Sequence, residues 1–489
     1  MHKIKTVLGR FGLVFVSILT LLLAAPPGVE AAYPRNDVDT PITKRVLVLN
    51  YNPVFEAQGY KTAVQFFGWN DPHILANSYI SAMEDASGGY LHSMVNYQIY
   101  EWRDINDIPV KRDGFDYTDD SYIYCKNQPS SCHTSGSYTD QYGQSEPVDY
   151  ANYHYIIDSQ NVCALANNGT IDEVWLFGGP YFGYWEARMA GPGSINTNGP
   201  VLAGPTCNRA IHFMGFNYER SLGEMLENFL HRTENSINQA YGAPDNRGGS
   251  YNLAYPTHAF MAYEARTPNL ARCGWAHFPP NIADTTQYIY VSTLTKRTMC
   301  EDYWNYPYLI YPVNSWYHVR GCEQWGCTKQ GFMIWWLDHL PRYKGRTDGH
   351  WDNWWKYTLD YAAAQAVPPT AEPRGNLDGY LPGSNCTVVG WTCDWSNYSQ
   401  PLTVEFYEGW VKRGEVVANA WREDGVANLC GGQRYHGFTY KFPANSGMYS
   451  GGNRYVYARA KDINGSSQQT GLLWTLSNSP KAVYCNTSY

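Results

Sequence analysis

Residues 44–54 read KRVLVLNYNPV, an apolar run almost unbroken by polar side chains. A strand with one wet face alternates, and this one does not, so it is expected to be buried on both faces inside a sheet. Such a strand needs a layer on each side. The sequence supplies one at once in DPHILANSYISAMEDASGG (71–89), with an Asp-Pro start, helical spacing and a glycine stop. LHSMVNYQIYEW then reads as a strand, YHYIIDSQNVCALANNG as a helix, DEVWLFGG and RAIHFMGFNY as strands, and GEMLENFLHRTEN as a helix. Strands alternating with helices over this length specify an α/β layer with a mainly parallel sheet over residues 44–361. Ligands of such sheets bind outside the carboxyl ends of the strands. Here those ends carry Asn50, Tyr51 and Asn52; Glu101 to Asp104; Gly178 to Tyr181; and Asn217, Tyr218 and Glu219.

Residues 245–361 differ in character. They are loop-rich, dense in Tyr, Trp and Pro, and hold CGWAHFPPN and CEQWGC. This segment is expected to be a disulfide-pinned cap that walls a cleft or simply packs over the core. Residues 362–376 are small and Pro-containing, as in a linker. Beyond them, TVVGWTC, LTVEFYEG, HGFTYKF and YVYARAKD alternate between turn residues, the pattern of a β-sandwich over 377–489. GWTCD, FYEG, HGF and YARAKD resemble the immunoglobulin-like accessory module of bacterial secreted enzymes and surface proteins. That resemblance implies export and a separate main activity, and brings no catalytic residue with it. The large domain resembles uncharacterised exported bacterial proteins, which implies no activity.

The first residues carry His2, Lys3, Lys5 and Arg10, then an apolar run from Phe11 to Ala25 and a small-residue exit. Residues 1–32 therefore read as a secretory signal peptide, leaving a secreted protein with no membrane segment after cleavage. Twelve cysteines in an exported chain point to disulfides, and they divide eight before the linker and four after it. The close pairs Cys125/Cys132, Cys322/Cys327 and Cys386/Cys393 are candidates for local loops, although spacing does not fix connectivity. A net charge of −8 with no basic stripe argues against a nucleic-acid partner. The 42 tyrosines and 18 tryptophans suit an extracellular polymer, a glycan ahead of a peptide, because flat rings with a polar edge stack on sugars.

The sequence has no G-x-S-x-G elbow, H-E-x-x-H helix, P-loop or strand-coupled G-x-G-x-x-G. Two chemistries remain. In the helix GEMLENFLHRTEN, Glu224, Glu227, His231 and Glu234 fall within an arc of roughly 80°. His231 and Glu234, with Glu227 one turn before, present imidazole and carboxylate ligands for zinc or another divalent metal. The same stripe lies opposite the apolar face, where an amphipathic helix puts charge for solubility, and Ser221 with Glu224 matches a capping box. A further ligand has to come from elsewhere: His277 in its Cys- and Pro-pinned loop, or His212, Asp338 or His339. The second chemistry uses two carboxylates, for which Glu101, Glu186 and Glu219 are the candidates, since an acid beside Trp102 or Trp185 has its pKa raised by desolvation. The leading expectation is a secreted hydrolase of an extracellular polymer, metal-assisted or carboxylate-based; the alternative is a non-catalytic glycan-binding or adhesive surface protein.

Overall fold

The computed structural model describes residues 38–88, 93–204, 207–244, 251–306, 318–347, 350–365, 373–394, 397–409, 411–463 and 469–487. The expected signal peptide, 1–32, lies outside them. Five strands form the first sheet: β1 (Ile42–Tyr51), β2 (Val95–Ile105), β3 (Glu173–Gly178), β4 (Ala187–Ala190) and β5 (Ile211–Asn217), in the order β2-β1-β3-β5-β4. β1 runs parallel to β2 and β3, and β3 parallel to β5, while the edge strand β4 is antiparallel to β5. The run VLVL of β1 is fully buried, its side chains alternating between two hydrophobic cores. Helices α1 (Pro72–Gly88), α2 (Leu222–Ala240) and α3 (Lys329–Asp338) contribute to the core that holds Val46 and Val48. The opposite core, around Leu47 and Leu49, is closed by 108–171 and 182–213.

Strand order changes direction at β1, so the crevice between the ends of β1 and β3 is where a ligand is first expected. The protein fills it. Tyr218 Oη donates to Asn50 Oδ1 at 2.6 Å and to the Tyr51 carbonyl at 2.9 Å. Asn50 Nδ2 and Trp102 Nε1 both donate to Asp104 Oδ1, and Trp69 stacks on Tyr218. These strand-end residues satisfy one another, and the open space lies instead at the ends of β3 and β5, beside α2.

After α3 the chain forms β6 (Arg342–Thr347) and β7 (His350–Asn353). The C-terminal region is β-rich. A four-stranded sheet contains Pro373–Tyr380, Thr387–Asp394, Tyr435–Lys441 and the two-residue Ala420–Trp421, and a larger one contains Thr403–Glu408, Val411–Val417, Asn453–Ile463, Gln469–Thr475 and Lys481–Tyr484. Leu377, Val388 and Phe438 of the first meet Val404, Phe406, Val456 and Val483 of the second in one apolar cluster. The larger sheet does not stop at the expected boundary, because β6 pairs in parallel with Gln469–Thr475. Beneath this seam Arg459 is ion-paired to Asp352, both with no side-chain exposure. Of the segment expected as a linker, Tyr361–Gln365 is helical and Pro373–Tyr380 is a strand, whereas 366–372 lies outside the described residues.

All twelve cysteines pair, and no bridge crosses from one half to the other: Cys125–Cys132, Cys163–Cys207, Cys273–Cys300 and Cys322–Cys327 precede Cys386–Cys485 and Cys393–Cys430. The expected local pair Cys386/Cys393 is not formed. Cys386 immediately precedes the strand Thr387–Asp394 and Cys393 lies near its far end, so they reach Cys485 and, after the helix Asp424–Leu429, Cys430 instead. Six disulfides fit an oxidising, extracellular environment. No helix among the described residues is long and apolar enough to cross a membrane.

Candidate functional site

The site is built on α2, which leaves directly from the end of β5. Ser221 caps it: its hydroxyl accepts from the Gly223 N–H, while Glu224 Oε2 accepts from the Ser221 N–H at 3.0 Å. Glu224 thus serves the helix start, as its capping-box position suggests. Met225, Leu226, Phe229, Leu230 and Ile237 are buried in the core. Arg232, fully buried, fixes the helix's axial position by donating to Glu173 of β3 and to the carbonyls of Thr358 and Leu359.

The opposite stripe is not a wet face. Glu227 and Glu234 are buried, and the His231 side chain is only 13% exposed, because a loop of the cap lies over them. That loop is held firmly. Cys273 is bridged to Cys300, Trp275 and Phe278 exchange backbone hydrogen bonds, and Tyr290 Oη donates to the Ala276 carbonyl. Gly274 has φ +77°, and a Cβ there would lie 2.3 Å from the Phe278 carbonyl oxygen, so the turn requires glycine. The Ala276 N–H donates to Glu234 Oε1 at 2.7 Å, which docks the loop on the helix and delivers His277 beside His231.

Glu227, His231 and His277 could together hold a metal ion, their ligand atoms lying within 4.8 Å of one another. His231 Nε2 is 3.0 Å from His277 Nε2, and His277 Nε2 is 2.8 Å from Glu227 Oε1. These separations approach the roughly 3.3 Å edge of a tetrahedron built from 2.0–2.1 Å bonds. Each ring is oriented by its other nitrogen: His231 Nδ1 faces Glu234 Oε2 at 3.2 Å, and His277 Nδ1 faces Gln287 Oε1 at 3.0 Å. Both partners accept, so each ring can carry its hydrogen on Nδ1, which leaves the two Nε2 atoms facing each other and His277 Nε2 also facing Glu227 Oε1. At these separations a hydrogen on one Nε2, or a cation, joins the three groups.

Charge in the site favours a cation. Burial would raise the Glu227 carboxyl, but His277 and Lys329 more than offset it and hold it down at about 2. Burial would likewise lower His231, yet Glu234, Glu186 and Glu227 outweigh it and raise its pKa above the ordinary histidine value. Surroundings that draw a proton to His231 draw a metal ion by the same attraction. Lys329 takes Glu227 Oε2 and also lies 3.3 Å from Glu224 Oε1, leaving Glu227 Oε1 for the histidines. Of the four expected ligands, Glu234 therefore stands apart: its oxygens are taken by the Ala276 N–H and His231 Nδ1, the position of a residue that orients a ligand.

The trio opens into a cavity of about 520 Å³, whose wall also includes Glu186, Asn198, Arg220, Gln287 and Tyr288. Glu186 Oε2 lies 3.9 Å from His231 Nε2 and accepts from Asn198 at 2.8 Å. Its loop, GGPYFGYWE, turns sharply through Tyr181 at φ +64° and Gly183 at φ +89°, where a Cβ would lie 2.1 Å from the Asp149 carbonyl oxygen. The other carboxylate candidates do not join it. Glu101 is paired to Arg103 on the edge strand β2, and Glu219 to Lys126, and neither lines this cavity. The alternative third ligands are also elsewhere: His212 is buried in β5, its pKa pushed well down by burial, His339 stacks on Trp304, and Asp338 pairs with Arg342. Lys329, Gln287 and Arg220 were invisible as site residues, because nothing in their local sequence marks them. For Gln287 the only available signal is its place in the loop segment that follows His277.

No protein-family model, curated protein or solved structure matches this chain.

Proposed function

We propose that the protein is a secreted, metal-dependent hydrolase that attacks a carbonyl group of an extracellular polymer. Glu227 Oε1, His231 Nε2 and His277 Nε2 hold one divalent cation, zinc suiting a donor set of two imidazoles and a carboxylate. The observation that carries this reading is the convergence of ligand atoms of Glu227, His231 and His277 to within 4.8 Å of one another, with both histidine Nδ1 atoms held from behind by Glu234 and Gln287. Three protein ligands leave a coordination position for water, whose pKa a zinc ion lowers to about 7. Glu186 is the carboxylate near the ligands that is not committed to them, and it takes the proton from that water and passes it to the leaving group. A two-carboxylate glycosidase mechanism is less well supported, because Glu101 and Glu219 are bound to cations away from Glu186.

In this reading the C-terminal sheets form a sandwich of the immunoglobulin-like accessory kind, and the oxidising environment implied by the disulfides is that of an exported protein. The non-catalytic alternative draws on one observation: Trp421 and Tyr435 face each other across paired strands and are both more than half exposed, as a sugar-stacking surface would be. Glu186→Gln separates the two. It is expected to retain the metal and lose hydrolysis by about two to four orders of magnitude; hydrolysis at the wild-type rate contradicts the assignment.

A further inference from the structure

The metal-side cavity does not end at Glu186. A second cavity of about 300 Å³ lies against the ends of β3 and β5, and Glu186 and Arg220 belong to the walls of both. The metal trio lies in the wall of the first cavity only, and a substrate groove spanning both cavities passes the shared Glu186 and Arg220. A substrate filling it extends to both sides of the reacting atom.

Two tyrosines mark the two parts. Tyr181 lines the second cavity and Tyr288 the first, and each holds a left-handed backbone, φ +64° and +69°. That conformation costs a β-carbon-bearing residue energy and is kept where something over-determines it. Tyr288 is 53% exposed although it stands over His277, with ring centroids 4.4 Å apart, so an aromatic face is offered to solvent beside the proposed metal. The second cavity also has Tyr150 and Tyr184 in its wall, and the Tyr184 hydroxyl is buried with no hydrogen-bond partner among the described residues. The remaining polar groups along the groove divide between side-chain amides, among them Asn198, Asn217 and Asn228, and charged groups, among them Arg220, Lys329 and Asp149.

One recurring mode of peptide recognition adds a strand to an open sheet edge. The edge beside this groove is β4, and it is already covered: the N–H groups of Asn198 and Gly199 and the hydroxyl of Thr197 go to the Ala187 carbonyl, and the Leu202 N–H goes to that of Met189. The groove instead offers rings for stacking with amides and charged groups that can hydrogen-bond hydroxyls, the recognition chemistry of a sugar chain.

We infer that the groove binds an acylated polysaccharide and that the reaction removes its acyl group. This rests on the metal-hydrolase reading above. A divalent cation held by Glu227, His231 and His277 would activate the attacking water; Glu186 takes a proton from that water as it adds to the acyl carbonyl carbon, the C–N or C–O bond to the sugar breaks, and Glu186 returns the proton to the departing nitrogen or oxygen. One water is consumed per carboxylate and free amine or hydroxyl released. The glycosidic bonds stay intact.

The test uses zinc-loaded protein with N-acetylated and O-acetylated oligosaccharides and, in parallel, a peptide panel, reading acetate release and peptide fragments. Binding of the same oligosaccharides is measured on Glu186→Gln protein. Acetate release without chain shortening is expected, and Tyr288→Gly and Tyr181→Gly, which suit their left-handed backbones, are expected to raise KM about five- to ten-fold with kcat little changed. Oligosaccharide binding without acetate release supports the groove assignment and overturns the hydrolase reading. Peptide cleavage without oligosaccharide binding overturns the inference and leaves the metal hydrolase standing. Should Tyr181→Gly fail to fold, Tyr288→Gly on its exposed loop decides: unchanged KM and unchanged binding refute the stacking role.

Discussion

Glu234 lines the cavity but spends both carboxylate oxygens on the Ala276 N–H and His231 Nδ1, so its replacement tests how the site is assembled. Its carboxylate is about 4% exposed as a residue and accepts from the Ala276 N–H and from His231 Nδ1. In Glu234→Gln the amide oxygen can still accept from Ala276, so the loop stays docked and stability falls by less than about 1 kcal/mol. The amide NH₂ then faces His231. A donor at that place forces Nδ1 to accept and moves the ring hydrogen to Nε2, the atom assigned to the metal. Zinc affinity is expected to drop roughly 10- to 100-fold, the usual consequence of disturbing a residue that orients a ligand. Glu234→Ala removes both acceptors and orphans a buried N–H, costing about 2–3 kcal/mol as well as the metal. Calorimetric zinc titration and urea unfolding measure the two effects separately. Wild-type zinc affinity in a folded Glu234→Gln protein refutes the orientation of His231 given above.

Arg232→Ala leaves the fully buried Glu173 carboxyl without its guanidinium partner, and is expected to cost about 3–5 kcal/mol in urea unfolding, part of which Glu173→Gln restores in the double variant. Burial, only partly offset by Arg272, pushes the Asp302 carboxyl up to about 7. Its unfolded value is about 3.9, so the folded state binds the extra proton between these limits, and stability falls as pH rises through that window by up to about 4 kcal/mol. Asp302→Asn is expected to flatten this dependence between pH 4 and 7; an unchanged slope in thermal unfolding contradicts it.

Much of the architecture was legible where structure is local. The unbroken VLVL of β1 gave away a strand covered on both faces, and the Ser221/Glu224 box marked the start of α2, because burial on both faces and helix capping leave their pattern within a few residues. The stripe Glu227–His231–Glu234 was legible as geometry but not in its use. Helical period says which face meets the sheet; it says nothing of what the next hundred residues lay over the other face. His277 could be suspected from its Cys- and Pro-pinned loop, whereas Lys329 and Gln287 reach the site through folding of the cap alone. The same distinction explains the misread pairing of Cys386 and Cys393. Proximity in sequence favoured a short loop, and the strand Thr387–Asp394, which starts right after Cys386 and holds Cys393 near its far end, carried the two thiols apart. At the expected linker, small residues and prolines concealed that the larger C-terminal sheet recruits β6 from the other side.

The most direct measurement is metal content. Protein prepared without chelator and then titrated with zinc after chelator treatment is expected to bind one equivalent tightly, with affinity lost in His231→Ala and His277→Ala and kept in Glu101→Gln. Substoichiometric metal, no saturable zinc binding, and melting and activity indifferent to chelator contradict the account at its centre.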